Sequence, residues 1–361
     1  MHIDIELLKK LTQLSAVSGE EDRMISFMRD EMAKYLKRVR VDNVGNVIGH
    51  IVSSEAKKTL MITSHMDQVS LIVKKIEESG LVRFERIGGL NQRSLLTSRV
   101  KLVADDESYV RKGVIGCKPY HLTSEEERYK IPPVSDLYID VGAQSRDQAL
   151  KWGIKLGSKF VFDSSFETID GNIIFSGTLD NRCGCLLLLE LLSEVSQMNL
   201  SNINVLFVGT VQEEIQTKSA IVVVNKYQPD FGICVDSTVA TDTPDVSGEC
   251  AISLGKGPSL TLYDMKGVGF IPNPKLTNFI VKIADEQNIP LQFSLMRGLV
   301  TEASYFEFAG KGVVSAITSY PLRYIHSPSE MCCISDLVYL KKLLLGIIQS
   351  LDRTTDDFNR G

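Results

Sequence analysis

The sequence predicts an α/β protein in which a mixed, mostly parallel sheet is flanked by helices and interrupted by a small inserted β-barrel. Three observations favour this fold class. Short apolar runs without alternation recur between helical segments, as buried parallel strands do. Between residues 67 and 160 the strands become short, often alternating and separated by glycine and charged turns, which is typical of an antiparallel barrel. A length of 361 residues suits two domains, or one large domain with an insertion.

The first 66 residues begin the α/β part. Apolar residues at helical spacing over 5–35, broken by Val17-Ser18-Gly19, predict two helices. Segments 38–41 and 47–52 flank the turn-forming cluster 42–46 and predict a pair of strands. Segment 59–63 is a continuous apolar run, as expected of a strand buried on both faces.

Two further stretches complete the predicted order of elements. In the insertion, the predicted strands are 70–73, 81–84, 99–103, 114–115, 137–141 and 157–162, with a polar loop at 123–130. Beyond it, the predicted helices are 183–197, 219–225, 275–287 and 334–351, and the predicted strands are 204–211, 231–235 and 312–318. We therefore expect residues 1–66 and 161–361 to form one domain and residues 67–160 to form an inserted β-rich domain.

Composition and charge exclude several classes of protein. With 43% hydrophobic and 24% charged residues the chain is close to the globular average, which excludes disordered and fibrous classes. A net charge of -5 offers no electrostatic footprint for nucleic acid or an anionic membrane. Seven cysteines, an odd number, predict free thiols in a reducing compartment. Because we find no basic-then-apolar leader and no run of about 18 apolar residues, we expect a cytoplasmic protein.

Polar side chains with metal-binding chemistry fall at the carboxyl ends of predicted strands. They are His65 after 60–64, Glu213 and Glu214 after 205–212, Asp236 after 232–235, and His326 shortly after 313–318. Asp180 lies in a turn that precedes a nearly all-apolar helix. Because open α/β sheets bind ligands at the carboxyl ends of their strands, we expect these side chains to converge.

Two histidines and three carboxylates form a ligand set for a pair of divalent metal ions. Imidazole nitrogen and carboxylate oxygen suit Zn, Co and Mn, and one carboxylate can bridge two ions. Such a pair can acidify a shared water for attack on a carbonyl. Of the adjacent Glu213 and Glu214, one can coordinate metal while the other takes the proton of that water. Asp67 lies on the same face of extended chain as His65 and can accept its second ring N–H.

Each of these residues also has an ordinary structural explanation. A lone histidine at a strand end is more often structural than a ligand, and we interpret His2, His50 and His121 in that way. An adjacent pair of glutamates is usually a solvated turn, and Asp180 ahead of a helix can be an N-cap. The shared strand-end placement is what favours a metal site.

Several motifs resemble, in order and spacing, the M42 family of metallo-aminopeptidases, which includes the tetrahedral, glutamyl and deblocking aminopeptidases. They are Ser64-His65-Met66-Asp67, residues 177–184, Val211-Gln212-Glu213-Glu214, residues 235–238 with 242–244, residues 254–258 and residues 323–328. The similarity runs from Leu7 to the final helix and includes residues 86–89 and 113–119 of the insertion.

This resemblance implies a fold like that of the zinc peptidases and a dinuclear metal centre. The implied ligands are His65 and Asp236 for one ion, Glu214 and His326 for the other, and Asp180 as the bridge between them. Glu213 is the implied general base, with Asp67 as the partner of His65. The inserted domain, PDZ-like or barrel-like, would mediate dimerisation, and dimers of such proteins commonly assemble into a tetrahedral dodecamer.

Four features depart from the family pattern. Asn181 stands where the family usually repeats Asp, Gln68 replaces a common Glu, and Gln216 falls where a Gly commonly follows the Glu pair. Residues 298–303 replace a usual Gly-Gly-Thr-Asp-Ala, so a loop expected to allow close backbone approach carries branched side chains. We expect intact metal binding and an altered wall on the substrate side.

Three functional hypotheses follow from these observations. The first is a cytoplasmic aminopeptidase that hydrolyses N-terminal residues from peptides with two divalent ions, Zn ahead of Co or Mn, and works as a homo-oligomer. The second is a metal-binding structural or assembly protein of the same fold with lost or altered peptidase activity. Its only support is Gln216 and the altered 298–303 loop. A glycoside hydrolase with two carboxylates would leave His65 and His326 without a role.

Overall fold

The structure, a computed structural model, describes residues 2–104, 110–246, 248–354 and 358. The strands within these residues are β1 (Val39–Val41), β2 (Val47–Ile51), β3 (Lys58–His65), β4 (Ser70–Ile76), β5 (Val82–Ile87), β6 (Arg99–Leu102), β7 (Lys112–Gly116), β8 (Tyr138–Asp140), β9 (Lys159–Phe162), β10 (Glu167–Ile169), β11 (Ile173–Ser176), β12 (Ile203–Thr210), β13 (Phe231–Val239), β14 (Ser259–Asp264), β15 (Gln292–Met296), β16 (Val314–Arg323) and β17 (Glu330–Cys333). They divide between one large sheet and one closed barrel.

Four parallel strands, in the order β12-β3-β13-β16, form the centre of the large sheet. Antiparallel strands continue it on both sides, β2 and β1 beyond β12, and β17, β11 and β10 beyond β16. The register aligns Thr210 of β12 with His65 of β3, so the carboxyl ends of these two strands lie side by side. The mixed sheet predicted from the sequence is confirmed.

Helices cover both faces of this sheet. The helices of the described residues are α1 (Ile5–Gln13), α2 (Asp22–Ala33), α3 (Gln92–Leu95), α4 (Arg146–Lys151), α5 (Leu179–Val195), α6 (Ala220–Tyr227), α7 (Pro274–Glu286) and α8 (Ile334–Arg353). On one face the nearly all-apolar α5 packs against the central strands, and α1, α2, α7 and α8 join it in the largest hydrophobic core. On the other face, α6 and residues 302–308 cover a smaller core. Among these helices, none has the length and hydropathy that crossing a membrane requires.

The segment between β3 and β10 forms a closed six-stranded antiparallel barrel in the order β4-β5-β8-β7-β6-β9. Its interior is a separate hydrophobic core to which Phe84, Ile139 and Phe160 contribute buried side chains. This core confirms the inserted β-barrel of the predicted fold. Lys159 of the barrel forms an ion pair with Glu20, in the loop between α1 and α2, and so ties the barrel to the rest of the chain.

Several elements differ from the prediction. β13 continues to Val239 because it pairs with β16 along its whole length, so Asp236 lies inside a strand and not after one. For the same reason β16 ends at Arg323, beyond the predicted end at 318. The pattern did not predict β10, β11, β14, β15 or β17. These short strands owe their structure to hydrogen bonds with a neighbouring strand, which an apolar pattern does not report.

Candidate metal centre

Asp180 lies between two histidines at the carboxyl edge of the parallel strands. Its Oδ1 is 3.1 Å from Nε2 of His65, and its Oδ2 is 3.2 Å from Nε2 of His326. Oδ1 of Asp236 lies 3.6 Å from Nε2 of His65, and Oε1 of Glu214 lies 3.4 Å from Nε2 of His326. The structure therefore brings the five predicted ligands together as two groups of three that share Asp180.

Each of the five side chains is supplied by a different part of the fold. His65 is the last residue of β3, and Asp236 lies in the adjacent β13. Glu214 follows β12, and His326 follows β16. Asp180 lies at the start of α5, where its backbone is not helical and its side chain does not cap the helix.

The His326 ring is held by its second nitrogen, whereas the His65 ring is held only weakly in this way. Nδ1 of His326 is 3.1 Å from the carbonyl oxygen of Gly89, in the turn that follows β5 of the barrel. A carbonyl only accepts hydrogen bonds, so Nδ1 carries the proton and leaves Nε2 free to bind a cation. Nδ1 of His65 faces Oδ1 of Asp67 at 3.5 Å, which is too long for a strong hydrogen bond. Besides Asp67, which was predicted, the insertion thus contributes Gly89 to the site, a contact that the sequence did not suggest.

Asp67 makes its shortest contacts with the loop that carries the two glutamates. It accepts hydrogen bonds from the backbone N–H groups of Glu213 at 2.9 Å and Glu214 at 3.0 Å, and from the Ser18 hydroxyl at 2.6 Å. Asp67 is fully buried, and burial raises its pKa, but the neighbouring His65, followed by the Ser18 hydroxyl and the Glu213 N–H, outweighs burial and lowers the pKa. Its geometry orients the Glu213–Glu214 backbone more than it orients the His65 ring.

The buried acids make this a strongly anionic site. Burial raises the pKa of Glu213 well above its usual value; His65 opposes the rise, while Asp236 and Glu214 add to it. Burial likewise raises the pKa of Glu214 to about 7. Burial also disfavours ionisation of Asp180, but the hydrogen bonds with His326 and His65 outweigh it and lower the pKa of Asp180.

The donor set fits divalent cations. Within each group of three, the ligand atoms lie within 4.8 Å of one another. Oε1 of Glu214 is buried without a hydrogen bond to any described residue, although a buried carboxylate oxygen needs a partner. Carboxylate oxygen with imidazole nitrogen suits Zn, Co or Mn. Each group can therefore hold one ion.

Glu330 is a further functional residue that sequence reasoning missed. It is buried, and its two carboxylate oxygens accept the backbone N–H groups of Asp180 at 3.1 Å and His326 at 2.8 Å. Burial raises its pKa to about 8. A glutamate four residues after a histidine carries no sequence signal of this role, because the role depends on the position of α5.

Of the departures from the family pattern, Asn181 has a structural explanation and Gln68 has hydrogen-bond partners that a glutamate could share. The Asn181 side-chain amide donates to the Val235 carbonyl at 2.9 Å and to Oδ1 of Asp236 at 3.1 Å, which a carboxylate cannot do. Oε1 of Gln68 accepts hydrogen bonds from the fully buried Arg182 and from the Ala16 N–H, both at 3.1 Å. Both side chains fit the site as it stands.

The other two departures line a cavity of about 820 Å³ next to the ligands. Gln216 has a φ of +97°, in the region that glycine favours, which explains why a glycine is common there. Leu299 and Val300 form part of the wall, together with Lys266 and Tyr305. The side chains of Leu299 and Val300 thus occupy space along this wall of the cavity that a glycine-rich loop would leave open.

The chain is similar over most of its length to known aminopeptidases. A model of the M42 glutamyl aminopeptidase family matches residues 45–343. Lysyl aminopeptidase of Pyrococcus furiosus is 32% identical over 98% of this chain and 99% of its own length. The structure of aminopeptidase APDkam598 from Desulfurococcus kamchatkensis has a TM-score of 0.90 and 35% identity, covering 96% of this chain and 94% of its own.

A further structural relative is TET1 peptidase of Pyrococcus horikoshii, which can assemble into a tetrahedron or a large octahedral shell. Its TM-score is 0.83 at 31% identity, over 95% of this chain and 98% of its own.

Proposed function

The chain belongs to the M42 glutamyl aminopeptidase family and is a peptidase, and we propose that it releases N-terminal residues from peptides at a dinuclear metal centre. The observation that carries this proposal is the position of Asp180. Its two carboxylate oxygens each face Nε2 of a different histidine, at 3.1 and 3.2 Å. A carboxylate placed in this way is suited to bridge two ions.

The proposed ligands follow the two groups of three. His65 and Asp236 would hold one ion, Glu214 and His326 the other, and Asp180 both. Bound there, two divalent ions supply a Lewis acid for the peptide carbonyl and lower the pKa of a water. Zn is the first candidate, and Co or Mn would fit the same donors.

Glu213 is the proposed general base. It is buried beside the proposed ligands and lines the same cavity, so its carboxylate is placed to take a proton from the attacking water and pass it to the leaving nitrogen. The bond from its backbone N–H to Asp67 fixes the loop from which the carboxylate extends. Asp67 thereby acts as a positioning residue for the base.

The proposed ions support selectivity for a free N-terminus. They would occupy this end of the cavity, with Asp180, Glu214 and Asp236 as ligands. A free α-amino nitrogen has a lone pair that a divalent ion can bind, whereas an acylated nitrogen does not, so we expect a peptide with a blocked N-terminus to be a poor substrate.

The proposal extends to the whole molecule. Residues 1–66 with 161–361 would form the catalytic domain, and residues 67–160 an inserted domain that mediates dimers of a larger homo-oligomer. The tetrahedral and octahedral assemblies of TET1 peptidase support such an oligomer. All seven cysteines are free, which supports a cytoplasmic location.

A substrate panel tests the peptidase proposal. Aminoacyl anilides and dipeptides are offered with free and with acetylated N-termini, after reconstitution with Zn, Co or Mn. We expect release of the first residue only from the free forms. No cleavage of any member by protein with both ions bound would favour a metal-binding structural protein instead.

Glu213→Gln separates chemistry from metal binding. We expect kcat to fall by about 10²–10⁴-fold while the metal content stays that of the wild type, because the amide cannot accept the proton. Activity that survives at full metal occupancy would remove Glu213 from the mechanism.

A further inference from the structure

Gln216 is held in a strained backbone conformation beside the candidate centre. Its φ of +97° is one that side chains with a Cβ rarely adopt. Two other positions of the same loop, Gln212 at +57° and the adjacent Thr217 at +53°, also have positive φ. Such outliers persist where the surrounding structure enforces them, and they are concentrated at functional sites.

The Gln216 side chain is available to a ligand. It is exposed, it lines the cavity, and its carboxamide forms no hydrogen bond with any residue that the structure describes. The neighbouring Thr217 also lines the cavity, and its buried hydroxyl is likewise without a partner in the described chain. A glutamine retained at a position suited to glycine, with its amide unused by the protein, points to a role in binding.

The position of this loop indicates which part of a peptide Gln216 meets. The Thr217 N–H donates to the Glu213 carbonyl at 2.8 Å, so Gln216 and Glu213 belong to one closed turn. In the proposed function, Glu213 passes a proton to the nitrogen of the scissile peptide bond. The turn that carries Glu213 and Gln216 then lies beside the peptide residue that contains this nitrogen. That residue is the second residue of the peptide.

We propose that Gln216 is a specificity-determining residue whose carboxamide hydrogen-bonds the main chain of the second residue of a bound peptide. A carboxamide offers one acceptor and two donors, which match the N–H and C=O groups of a peptide main chain. The enzyme should therefore favour peptides over amides that have no main chain after the scissile bond. This inference depends on the proposed aminopeptidase function.

The test compares a tripeptide with the p-nitroanilide of the same first residue. In Gln216→Ala and in Gln216→Gly, we expect kcat/KM for the tripeptide to fall about 10-fold, as for the loss of one hydrogen bond, and kcat/KM for the anilide to change less than about 2-fold. Gln216→Gly should also raise Tm by about 2 °C, because glycine relieves the strain.

Gln228 provides the matched control. It has a φ of +48° at the end of α6 and does not line the cavity. Gln228→Gly should leave the ratio of the two kcat/KM values unchanged.

The inference would be overturned if the ratio of kcat/KM for the tripeptide to kcat/KM for the anilide stayed within about 2-fold of wild type in both Gln216 variants. It would also be overturned if kcat/KM for the tripeptide fell only in Gln216→Gly, because that result would indicate an effect of loop flexibility. If the metal-loaded wild type cleaves neither substrate, the proposed function fails with it.

Discussion

Asp264 is a buried carboxylate that the proposed chemistry does not use. It ends β14, and its Oδ1 has no hydrogen-bond partner among the described residues. Burial, and to a lesser extent the charge of Asp236, raises its pKa from 3.8 to about 7. The folded chain therefore holds a proton at Asp264 between pH 4 and 7 that the unfolded chain has released.

Asp264→Asn should reduce the loss of stability at rising pH. In the wild type the free energy of unfolding falls as pH rises through this window, because the folded state must give up the proton. We expect this fall to be about 2–4 kcal/mol smaller in the variant, since each pKa unit is worth about 1.4 kcal/mol. Denaturant unfolding of metal-free wild type and variant at pH 4.5 and pH 8 measures the fall in the free energy of unfolding between these two pH values.

The exposed Asp285 on α7 supplies the control, since Asp285→Asn should keep the wild-type pH dependence. Equal pH dependence in the wild type and in Asp264→Asn would contradict the buried-acid explanation.

At the scale of residues, chemistry that depends on residue type was easier to predict than chemistry that depends on the backbone. His65, Glu214 and His326 stand out because side chains with metal-binding chemistry recur together at the carboxyl ends of predicted strands, and Asp180 because it lies in the turn before a nearly all-apolar helix. The Gly89 carbonyl that orients His326 belongs to the main chain, so its residue type carries no information about that bond. Glu330 was missed because it acts on backbone N–H groups far away in sequence.

The turn after β5 is the element that joins the barrel to the candidate centre. Gly88 has a φ of +86°, and a Cβ built on it would lie 2.8 Å from Cγ1 of Val69 and 3.1 Å from Oε2 of Glu214. The turn therefore packs directly against a proposed ligand. Gly153, also in the insertion, has a φ of +82° with nothing within 4 Å of the added Cβ.

Gly88→Ala should impair metal binding, whereas Gly153→Ala should not. Gly153→Ala should lower stability by about 1–2 kcal/mol, because alanine is disfavoured at positive φ, and Gly88→Ala should lower it further, because its Cβ also clashes with Val69. Only Gly88→Ala displaces Glu214, and we expect its affinity for one of the two ions to fall about 10–100-fold. Isothermal titration of metal-free protein gives both affinities. Equal affinities in the two variants would show that this turn does not position Glu214.

The ends of strands were harder to predict from the sequence than their presence. β3 was predictable because its apolar run is buried on both faces and ends at a polar residue, His65. The predicted end of β13 at Val235 was wrong, because pairing with β16 carries the strand through polar residues to Val239. Asp236 nevertheless lies with the other proposed ligands, since its predicted place in the parallel centre of the sheet was correct.

For the whole molecule, the division into a sheet and a barrel could be predicted because the apolar pattern of the sequence changes near residue 67. Alternating short strands after residue 67 indicated a barrel, and continuous apolar runs indicated the sheet. The contact of the barrel with the ligands was not predictable, because it depends on how two separately packed cores meet.

The proposed assembly through the barrel predicts the mass of the particle in solution. A dodecamer of a 40.1 kDa chain has a mass of about 480 kDa, which light scattering measures directly. Leu122 and Leu156 are exposed apolar residues of the insertion, and replacing both by Asp should reduce the mass if the barrel forms the dimer.

Ile271 and Phe308 are equally exposed outside the insertion and serve as the comparison pair. Loss of dimers only when these two are replaced by Asp would contradict assembly through the barrel.

Metal stoichiometry measured together with activity tests the proposed dinuclear centre most directly. Chelator-treated protein is titrated with Zn, and bound metal per chain is determined by mass spectrometry beside the rate of release of an N-terminal residue. We predict no activity without metal and full activity only when about two ions are bound per chain, with Glu213→Gln binding the same two ions and remaining inactive. Full activity in metal-free protein, or saturation of activity at one ion per chain, would contradict a dinuclear centre.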